Sequence, residues 1–503
     1  MTLRTPTGRA AMLQRSMRAT ILALLLASGA GCTMLPWGNG GLGDELPPEA
    51  IDPNGLVRVI GPEDLVAAAW RLTNLVPVRW ADGLAIGDTL ALEVGGAAVD
   101  ADIVGIVVWP GPIQLGLAPE GLRVDLGITI APAPVALADG IGGPCAPAIS
   151  AEGLVLELRL ALGTDKLGRV QAVLVGDPSF VGPAPAVDWS GCGAEALQPA
   201  LDALTAALWR ALAGATADAL APDLQTTVPR ALGLDLATGV TGTVAADAIG
   251  SGFARLSVAA IEPEGAPVWS RVGDALVVPY GVGITADGHP CMPALALPQI
   301  GASALPGAGS AEPGSVLLSA RVVRQALTAV WLAGAACGAH ATGGIEVPAD
   351  DLAAAWPALG RLPANTPLSI QLWPREAPSV GLAIGGADRL TVGTGLVDVD
   401  LYAELDGAEV RLASMTIDVD AVLGVWIGPT GVVTVTPEDV TLRATGTRAG
   451  LLVAPPLAAA EAVVTPIVIA LLDGRPLLAL PARPATSDAV RARVTAEHVV
   501  IPM

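Results

Sequence analysis

Apolar residues alternate with other residues over three long stretches in the first half of the chain. The stretches cover residues 84–94, 122–130 and 154–162, and every second position from Leu154 to Leu162 is leucine. A period of two is typical of β-strands with one buried face, and the Gly, Pro and Asp residues between the stretches are typical of turns. The pattern therefore predicts an antiparallel meander of half-buried strands.

Two helices are predicted beside this meander. In residues 61–75, a glycine is followed by a proline and two acids, as expected in a first helical turn, and then by apolar residues at helical spacing. After Gly193, leucines recur every three or four residues from Leu197 to Leu212, and the pattern continues past Leu220 and Leu224 to Val228. This predicts a long helix with one apolar stripe. Pro222 lies well inside this second pattern, and we expect it to kink or break the helix.

The second half repeats this order of elements. Weak alternation over residues 236–300 is consistent with strands that link the two halves. The elements predicted after it are a helix at 319–334, strands at 368–372, 390–405, 410–427 and 432–444, a helix at 456–474 and a final strand at 490–501. Helix, strand meander and helix therefore occur twice, which predicts a duplicated domain of the α+β class.

The amino terminus has the pattern of an export signal. Four arginines precede the apolar run at residues 19–27, which is too short to span a bilayer, and small residues lead to Cys32. The ending Ala-Gly-Cys resembles a bacterial lipoprotein signal, which implies removal of residues 1–31 and lipidation of Cys32. Ordinary cleavage that leaves Cys32 as a free thiol is the alternative. The Gly- and Pro-rich residues 32–60 are predicted to be a flexible tether.

The composition fits a large globular protein with aliphatic cores. Of 503 residues, 52% are hydrophobic and 15% charged, and 11 Trp stand against two Phe and two Tyr. Cores must therefore be built from Ala, Val and Leu. The net charge of −21 disfavours nucleic acid as a partner, because binding to phosphates needs clustered Lys and Arg.

Four cysteines follow Cys32 in the sequence: Cys145, Cys192, Cys291 and Cys337. An even number in an exported chain predicts disulfides, with three pairings possible. A Cys2His2 zinc site that adds His289 and His340 is the weaker alternative, because the chain has no C-x-x-C motif. We therefore expect no resident metal.

Motifs that mark catalysis or cofactor binding are absent from the sequence. It has no G-x-S-x-G, no H-E-x-x-H, no phosphate-binding loop and no dinucleotide fingerprint. The Gly-rich residues 301–315 are interpreted as a linker, and acid pairs such as Asp350 and Asp351 fit helix starts. We expect a protein that is not an enzyme and holds no cofactor.

Three segments share features with one protein family. Residues 220–232 (LAPDLQTTVPRAL) end the helix that starts near Cys192, residues 315–335 (SVLLSARVVRQALTAVWLAGA) run from a short strand into a helix, and residues 464–481 (VTPIVIALLDGRPLLALP) join a helix to a Gly-x-Pro-Leu exit. In this order they resemble the family of bactericidal/permeability-increasing protein, lipopolysaccharide-binding protein and the plasma phospholipid and cholesteryl ester transfer proteins.

This resemblance implies an elongated, pseudo-symmetric tubular lipid-binding fold of the α+β class. Two barrel-and-helix domains, at 61–235 and 315–503, would be joined by a central sheet at 236–314. The resemblance also implies a disulfide between Cys145 and Cys192, and we predict that the remaining pair, Cys291 and Cys337, forms another. The chain departs from the lipopolysaccharide-binding members because it has a single lysine and a net charge of −21.

The function predicted from the resemblance is lipid binding and transfer by a membrane-tethered carrier. Acyl chains would lie in apolar grooves between the helices and a bent sheet, and their headgroups would be neutral or zwitterionic, because no cationic clamp for phosphates is visible. The residues expected to line the grooves are Leu65, Ala69, Leu72, Leu201, Leu204 and Leu208 in the first half and Val323, Leu327, Val330, Trp331, Val464, Ile467 and Val468 in the second. The alternative is a non-enzymatic interaction or structural module of the envelope with packed cores and no lipid.

The partners predicted are therefore a phospholipid or other acyl lipid and, through the anchor, a membrane. The expected location is the outer membrane, on its periplasmic face or at the cell surface.

Overall fold

The computed structural model describes residues 51–79, 83–94, 97–137, 148–165, 169–182, 186–188, 198–235, 242–244, 254–259, 269–286, 292, 297, 302–306, 312–332, 347–364, 366–382, 389–472, 475–479 and 488–502. The chain after residue 40 forms one compact unit. Antiparallel sheets dominate this unit and helices are few, so the α+β class is confirmed. The tubular, pseudo-symmetric arrangement stays a prediction.

The first-half sheet confirms the meander predicted from alternation. Its strands run in the order β2-β3-β4-β5-β6, and β7 and β8 both pair with β5. Every second residue of β5 from Leu154 to Leu162 is buried, because successive side chains of a strand point to opposite faces. The strands are β2 (Leu84–Val94), β3 (Ala97–Ala118), β4 (Gly121–Leu137), β5 (Ala148–Thr164), β6 (Val170–Leu174), β7 (Ser179–Val181) and β8 (Ala186–Asp188).

Two helices pack on this sheet, α1 (Pro62–Arg79) and α2 (Gln198–Ala231). Pro222 was predicted to kink or break the second helix, and it does not break it, since α2 continues through it for 34 residues in all. Pro222 is exposed, as is Asp218, whose carbonyl loses its helical partner at a proline four residues later. Water can bind that carbonyl, so the helix continues past the proline.

The central sheet gathers strands from the beginning, middle and end of the chain. Its order is β22-β23-β13-β1-β12-β10-β9, and β11 pairs with β12. Its members from the start and end of the chain lie outside the segment 236–314 that was predicted to form this sheet. The strands are β1 (Ile51–Ile60), β9 (Gly242–Val244), β10 (Ala254–Ala259), β11 (Ser270–Val272), β12 (Ala275–Ala286), β13 (Ser315–Ser319), β22 (Arg493–Val494) and β23 (His498–Pro502).

Strand β1 corrects the predicted tether of residues 32–60. Residues 51–60 lie between β12 and β13, and most of their side chains are fully buried. A strand buried on both faces has apolar residues in succession in place of alternation, and Leu56–Ile60 is apolar at every position except the buried Arg58. Pro53 and Gly55 within the strand and Gly61 after it are typical of a linker. The tether therefore ends before Ile51, and residues 32–50 lie outside the described ranges.

The second-half sheet has the order β14-β15-β17-β18-β19-β20, with β16 paired to β17 and β21 paired to β18. Its strands are β14 (Val347–Pro348), β15 (Pro367–Pro374), β16 (Ser379–Leu382), β17 (Leu390–Leu405), β18 (Ala408–Ile427), β19 (Val432–Ala449), β20 (Arg475–Ala479) and β21 (Val490–Arg491). The remaining helices are α3 (Ala320–Leu332), α4 (Ala349–Leu352), a 3₁₀ helix (Pro357–Arg361) and α5 (Leu457–Leu472). Helix α3 packs on the central sheet, whereas α5 packs on β19.

Candidate functional site

The first-half residues predicted to line a lipid groove lie in the core. Leu65 and Leu72 of α1 and Leu208 of α2 are buried and belong to one apolar cluster with the first-half sheet. Ala69 is also buried. Leu201 and Leu204 lie on α2, but their side chains are outside the description. The described members pack as core residues.

The second-half residues fall into three separate groups. Val323 and Leu327 of α3 belong to the same cluster as the first-half core, and Trp331 packs with Leu332 and Met292 in a small cluster of its own. Val464 and Val468 of α5 belong to the core of the second-half sheet.

We expected α3 to lie near α5, but their described side chains are not brought together, because α3 packs on the central sheet and α5 on β19. The side chains of Val330 and Ile467 are outside the description.

Helix α5 is apolar on nearly every side. Its only charged residue in the sequence LAAAEAVVTPIVIALL is Glu461, whose Oε1 accepts the backbone N–H of Ala444 on β19 at 2.9 Å. The hydroxyl of Thr465 donates to the carbonyl of Glu461 at 2.7 Å. Both polar side chains are therefore engaged with backbone groups. A helix without a polar face is typical of protein interiors or of contact with lipid.

One face of α5 is nevertheless exposed. The buried positions Ala460, Val464 and Val468 face the core, while Ala458, Ala462, Pro466 and Ile469 repeat at helical spacing on the exposed side. The segment before the helix extends this surface, because Leu451, Val453 and Leu457 are 56%, 63% and 47% exposed. We call this surface the 451–469 face; its members are Leu451, Val453, Ala454, Pro456, Leu457, Ala458, Ala462, Pro466 and Ile469.

The 451–469 face was not predicted from the sequence. Val464, Ile467 and Val468 of this helix were predicted to lie at a lipid site, without a distinction between buried and exposed positions. The signal was present, since residues 451–472 contain a single charged residue. Periodicity could not reveal which side is exposed because both sides are apolar.

Helix α1 also exposes two large apolar side chains, Val66 and Trp70. The exposed residues around them include Glu63, Arg71 and Asn74, so this patch is interrupted by polar groups. Isolated apolar side chains on a surface are normal, whereas contiguous apolar patches mark contact sites. The 451–469 face is therefore the stronger candidate.

A cleft of about 460 Å³ opens along β16 to β19. Its lining mixes small apolar residues with Ser379, Thr391 and Thr441 and with the carboxylates of Asp420 and Asp439. Carboxylates lose hydration when hydrocarbon covers them and repel anionic headgroups. The cleft therefore does not fit acyl chains.

A buried carboxylate links strands of the central sheet to a neighbouring segment. Asp52 is fully buried, and its oxygens accept the backbone N–H groups of Asn54 (3.1 Å) and Ser303 (2.9 Å) and the hydroxyls of Ser303 (2.5 Å) and Ser319 (2.8 Å). Ser319 Oγ also accepts the N–H of Val322 at the start of α3. This network ties β1, the segment 302–306 and α3 together.

Ser319, His498 and Asp52 lie in the same region, but they are not arranged as a catalytic nucleophile with its general base. Ser319 lies opposite His498 in the β13–β23 register, yet its hydroxyl donates directly to Asp52. His498 is buried, which lowers the pKa of its imidazole, and its Nε2 has no hydrogen-bond partner among the described residues. A buried hydroxyl that is already bound to a carboxylate cannot reach a substrate, so the group is structural.

Arg58 on β1 has a similar role. Its guanidinium pairs with Asp64 at 2.9 Å and donates to the carbonyl of Ser315, and Asp64 also accepts the N–H of Gly61. Burial lowers the pKa of Arg58, while the neighbouring Asp64 opposes that shift. The pair joins β1 to the first turn of α1 and to β13.

Within the described ranges, no group of three or more His, Cys, Asp or Glu side chains could hold a metal ion. No described helix is long and apolar enough to cross a membrane. Cys32 and the cysteines at 145, 192, 291 and 337 lie outside the described residues. The lipidation and both disulfides therefore stay predictions.

No protein-family model and no curated protein match the chain. Among solved structures, a lipopolysaccharide binding protein is 13% identical with a TM-score of 0.43, and the match covers 89% of this chain and 98% of that one. P47 from Clostridium botulinum A2 is 9% identical with a TM-score of 0.29, covering 90% and 98%. P47 from Clostridium botulinum E1 is 10% identical with a TM-score of 0.25, covering 90% and 99%.

Proposed function

We propose that this protein is a non-enzymatic lipid-binding protein of the cell envelope that holds acyl chains in the apolar interior beneath helix α5. Lipidation of Cys32 would tether it to the outer membrane. One observation carries the proposal: α5 is apolar both on the side that packs on the second-half sheet and on the side exposed to solvent.

The core beneath α5 is suited to acyl chains. It combines Val464 and Val468 with aliphatic residues of the sheet such as Val399, Ile417 and Val419. Transfer of a lipid chain from water into such surroundings is favourable by about 0.8 kcal/mol per methylene. Small aliphatic side chains offer no polar group that a hydrocarbon chain would leave unsatisfied.

The attachment of α5 to the sheet would permit entry. An amphipathic helix is oriented by its polar face, but α5 has none, and Glu461 forms the polar link to the edge of β19. A helix held mainly by non-directional apolar contacts can shift while acyl chains replace those contacts. The interior would then open without leaving a charged group buried.

Native mass spectrometry of the gently purified protein carrying Cys32→Ala tests this proposal. We expect one or two diacyl lipids bound per chain, and we expect a fluorescent phospholipid to exchange in competition with unlabelled lipid. The substitution removes the predicted anchor, so any lipid detected is a ligand. Lipid-free spectra together with no exchange would contradict the proposal.

A packed envelope module without lipid is the second candidate. It is favoured by the burial of Leu72 and Leu208 in one core with the first-half sheet and of Val464 in the core of the second-half sheet. In that case the cores of both halves would be filled by side chains, and the same experiment would give the lipid-free result.

A further inference from the structure

We propose that the indole N–H of Trp356 donates a hydrogen bond to an ester carbonyl of the bound lipid, so that the second half prefers ester-linked to ether-linked lipids. This inference rests on the proposed function, because it names a contact within the acyl-chain site beneath α5. It is carried by a buried hydrogen-bond donor for which no described residue supplies an acceptor.

Trp356 is a core residue with one unsatisfied polar group. It is 2% exposed and belongs to the same apolar cluster as Val464 and Val468 of α5. Its backbone N–H donates to the carbonyl of Leu352 at 3.0 Å, and its carbonyl accepts the N–H of Leu359 at 3.0 Å. The indole Nε1 is buried and has no hydrogen-bond partner among the described residues. Buried donors in proteins are nearly always paired, so this N–H calls for an acceptor.

The other polar groups around this core have partners. The hydroxyl of the buried Thr366 donates to the carbonyl of Pro363 at 2.5 Å, and Glu461 of α5 accepts a backbone N–H. The indole of the half-buried Trp426 donates to Oγ1 of Thr436 at 3.0 Å. Within the described part of the second-half core, the indole Nε1 at position 356 is therefore the one buried side-chain donor left for a ligand.

Trp356 lies at one end of the core beneath α5. It stands between α4 and the 3₁₀ helix, which pack together beside β14, the partner of β15. On β15, Leu368 lies opposite Ala403 near the turn between β17 and β18. The chain enters α5 at this same end, since the N–H of Leu452 donates to the carbonyl of Leu412. An acyl chain has its ester carbonyl at one end, so a lipid that lies along this core can place the carbonyl beside the indole.

An ester carbonyl is the acceptor that suits this donor. It is uncharged, whereas a buried phosphate or carboxylate would need a buried cation, and the described members of the core include no Lys, Arg or His. The 3₁₀ helix after the tryptophan exposes Gly360 and Arg361, so the headgroup would remain in water at this end. An ether-linked lipid has no carbonyl, and with it the indole N–H would stay unsatisfied.

Competition between two matched lipids tests the inference. Delipidated mature protein carrying Cys32→Ala is loaded with a fluorescent phospholipid, which is then displaced by dipalmitoyl phosphatidylethanolamine or by its dihexadecyl ether analogue. The ratio of ester to ether affinity should fall about three- to tenfold from this parent to its Trp356→Phe variant, as expected for the loss of one hydrogen bond. The affinity for the ether lipid should hardly change, because that lipid offers the indole no carbonyl.

A second replacement removes the donor without changing the shape of the core. Trp356→β-(3-benzothienyl)alanine has sulfur in place of the indole N–H and should lower the ratio as phenylalanine does. Trp331→Phe is the matched control. Trp331 is 6% exposed and its Nε1 also has no partner among the described residues, but it packs with Met292 and Leu332 in a separate cluster. This control should keep the ratio of the parent.

The outcomes separate this inference from the proposed function. If the parent binds both lipids and the ratio is unchanged in the two Trp356 variants, the indole contact is wrong and the acyl-chain site stands. An equal fall of the ratio in Trp331→Phe would also overturn the contact, because the effect would not come from the core beneath α5. A parent that binds neither lipid would contradict the proposed function and the inference together.

Discussion

Helices α2 and α5 each bury an apolar stripe against a sheet, but their exposed sides differ in polarity. Each lies on an antiparallel sheet and contributes a buried stripe, which includes Leu212 and Leu220 in α2 and Val464 and Val468 in α5. The exposed side of α2 carries Asp202, Arg210, Asp218 and Arg230, whereas the exposed side of α5 is aliphatic.

The comparison shows that an apolar stripe alone does not define how a helix is used. The polar side of α2 has favourable contact with water, which fixes the orientation of the helix on its sheet. The exposed side of α5 has no such contact, so covering it with lipid or with another surface releases free energy. Both helices lie on antiparallel sheets, and within the described ranges α5 has an aliphatic exposed side where α2 has a polar one.

The largest expected effect comes from truncating one leucine in each helix. Leu212→Ala should lower the free energy of unfolding by about 3 kcal/mol, because it leaves a cavity in a fully buried core. Leu457→Ala should change it by less than about 1 kcal/mol, because the side chain is half exposed. Urea unfolding of delipidated protein measures both values, since bound lipid would raise stability by mass action.

An equal loss of unfolding free energy in the two leucine variants would contradict the difference between the two helices. It would mean that Leu457 is covered in the protein in solution, for example by a second copy. Measuring Leu457→Ala at several protein concentrations separates these cases, because a covered face makes the loss depend on concentration.

The polar links of the two helices give the second test. Glu461→Ala leaves the N–H of Ala444 without its acceptor and should cost about 1–2 kcal/mol. Gln225→Ala removes a side-chain hydrogen bond of 2.6 Å from α2 to Gln171, a half-buried partner that water can reach, and should cost less than about 1 kcal/mol. Glu461→Gln keeps an acceptor oxygen and should recover most of the loss.

Hydrogen exchange sharpens this second test. Loss of the Glu461 link should accelerate amide exchange along α5 and leave α2 unchanged, because the two helices belong to different core clusters. Acceleration in both helices would indicate that the halves open as one unit.

Elements with a clear period could be predicted from the sequence. Alternation along β5 and the leucine stripe of α2 each report one buried face, and the structure confirms both. Strand β1 was not predicted, because a strand buried on both faces has no alternation and its proline and glycine residues are typical of a linker. Its position depends on pairing with β12 and β13, more than 200 residues away in sequence, which no local pattern encodes.

The candidate site was predictable only in part. The sequence showed that α5 is apolar, but its buried and exposed sides are set by where it packs on β19. The segment from Leu451 to Pro456 precedes the helix and has no helical period, so no sequence pattern indicates which of its side chains are exposed. The grouping of Val323 and Leu327 with the first-half core likewise depends on the central sheet.

Replacing Pro222 of α2 and Pro466 of α5 should give the smallest changes in unfolding free energy, and the two changes should be similar. Pro222 and Pro466 are both exposed, and each removes the helical donor for the carbonyl four residues earlier, at Asp218 and Ala462. Replacement by Ala restores that hydrogen bond, while the greater freedom of the unfolded chain offsets part of the gain. We expect Pro222→Ala and Pro466→Ala each to raise the free energy of unfolding by about 1 kcal/mol in buffer.

Phospholipid vesicles should separate the two proline variants. Ala462 is an exposed member of the 451–469 face, so contact of that face with a bilayer would take its freed carbonyl out of water, whereas the carbonyl of Asp218 would stay hydrated. Urea unfolding followed by circular dichroism should therefore show a larger gain for Pro466→Ala with vesicles than without them, by about 0.5–1 kcal/mol, and no such change for Pro222→Ala. Equal gains under both conditions would mean that the carbonyl of Ala462 remains in water, and that the outer side of α5 does not meet the bilayer.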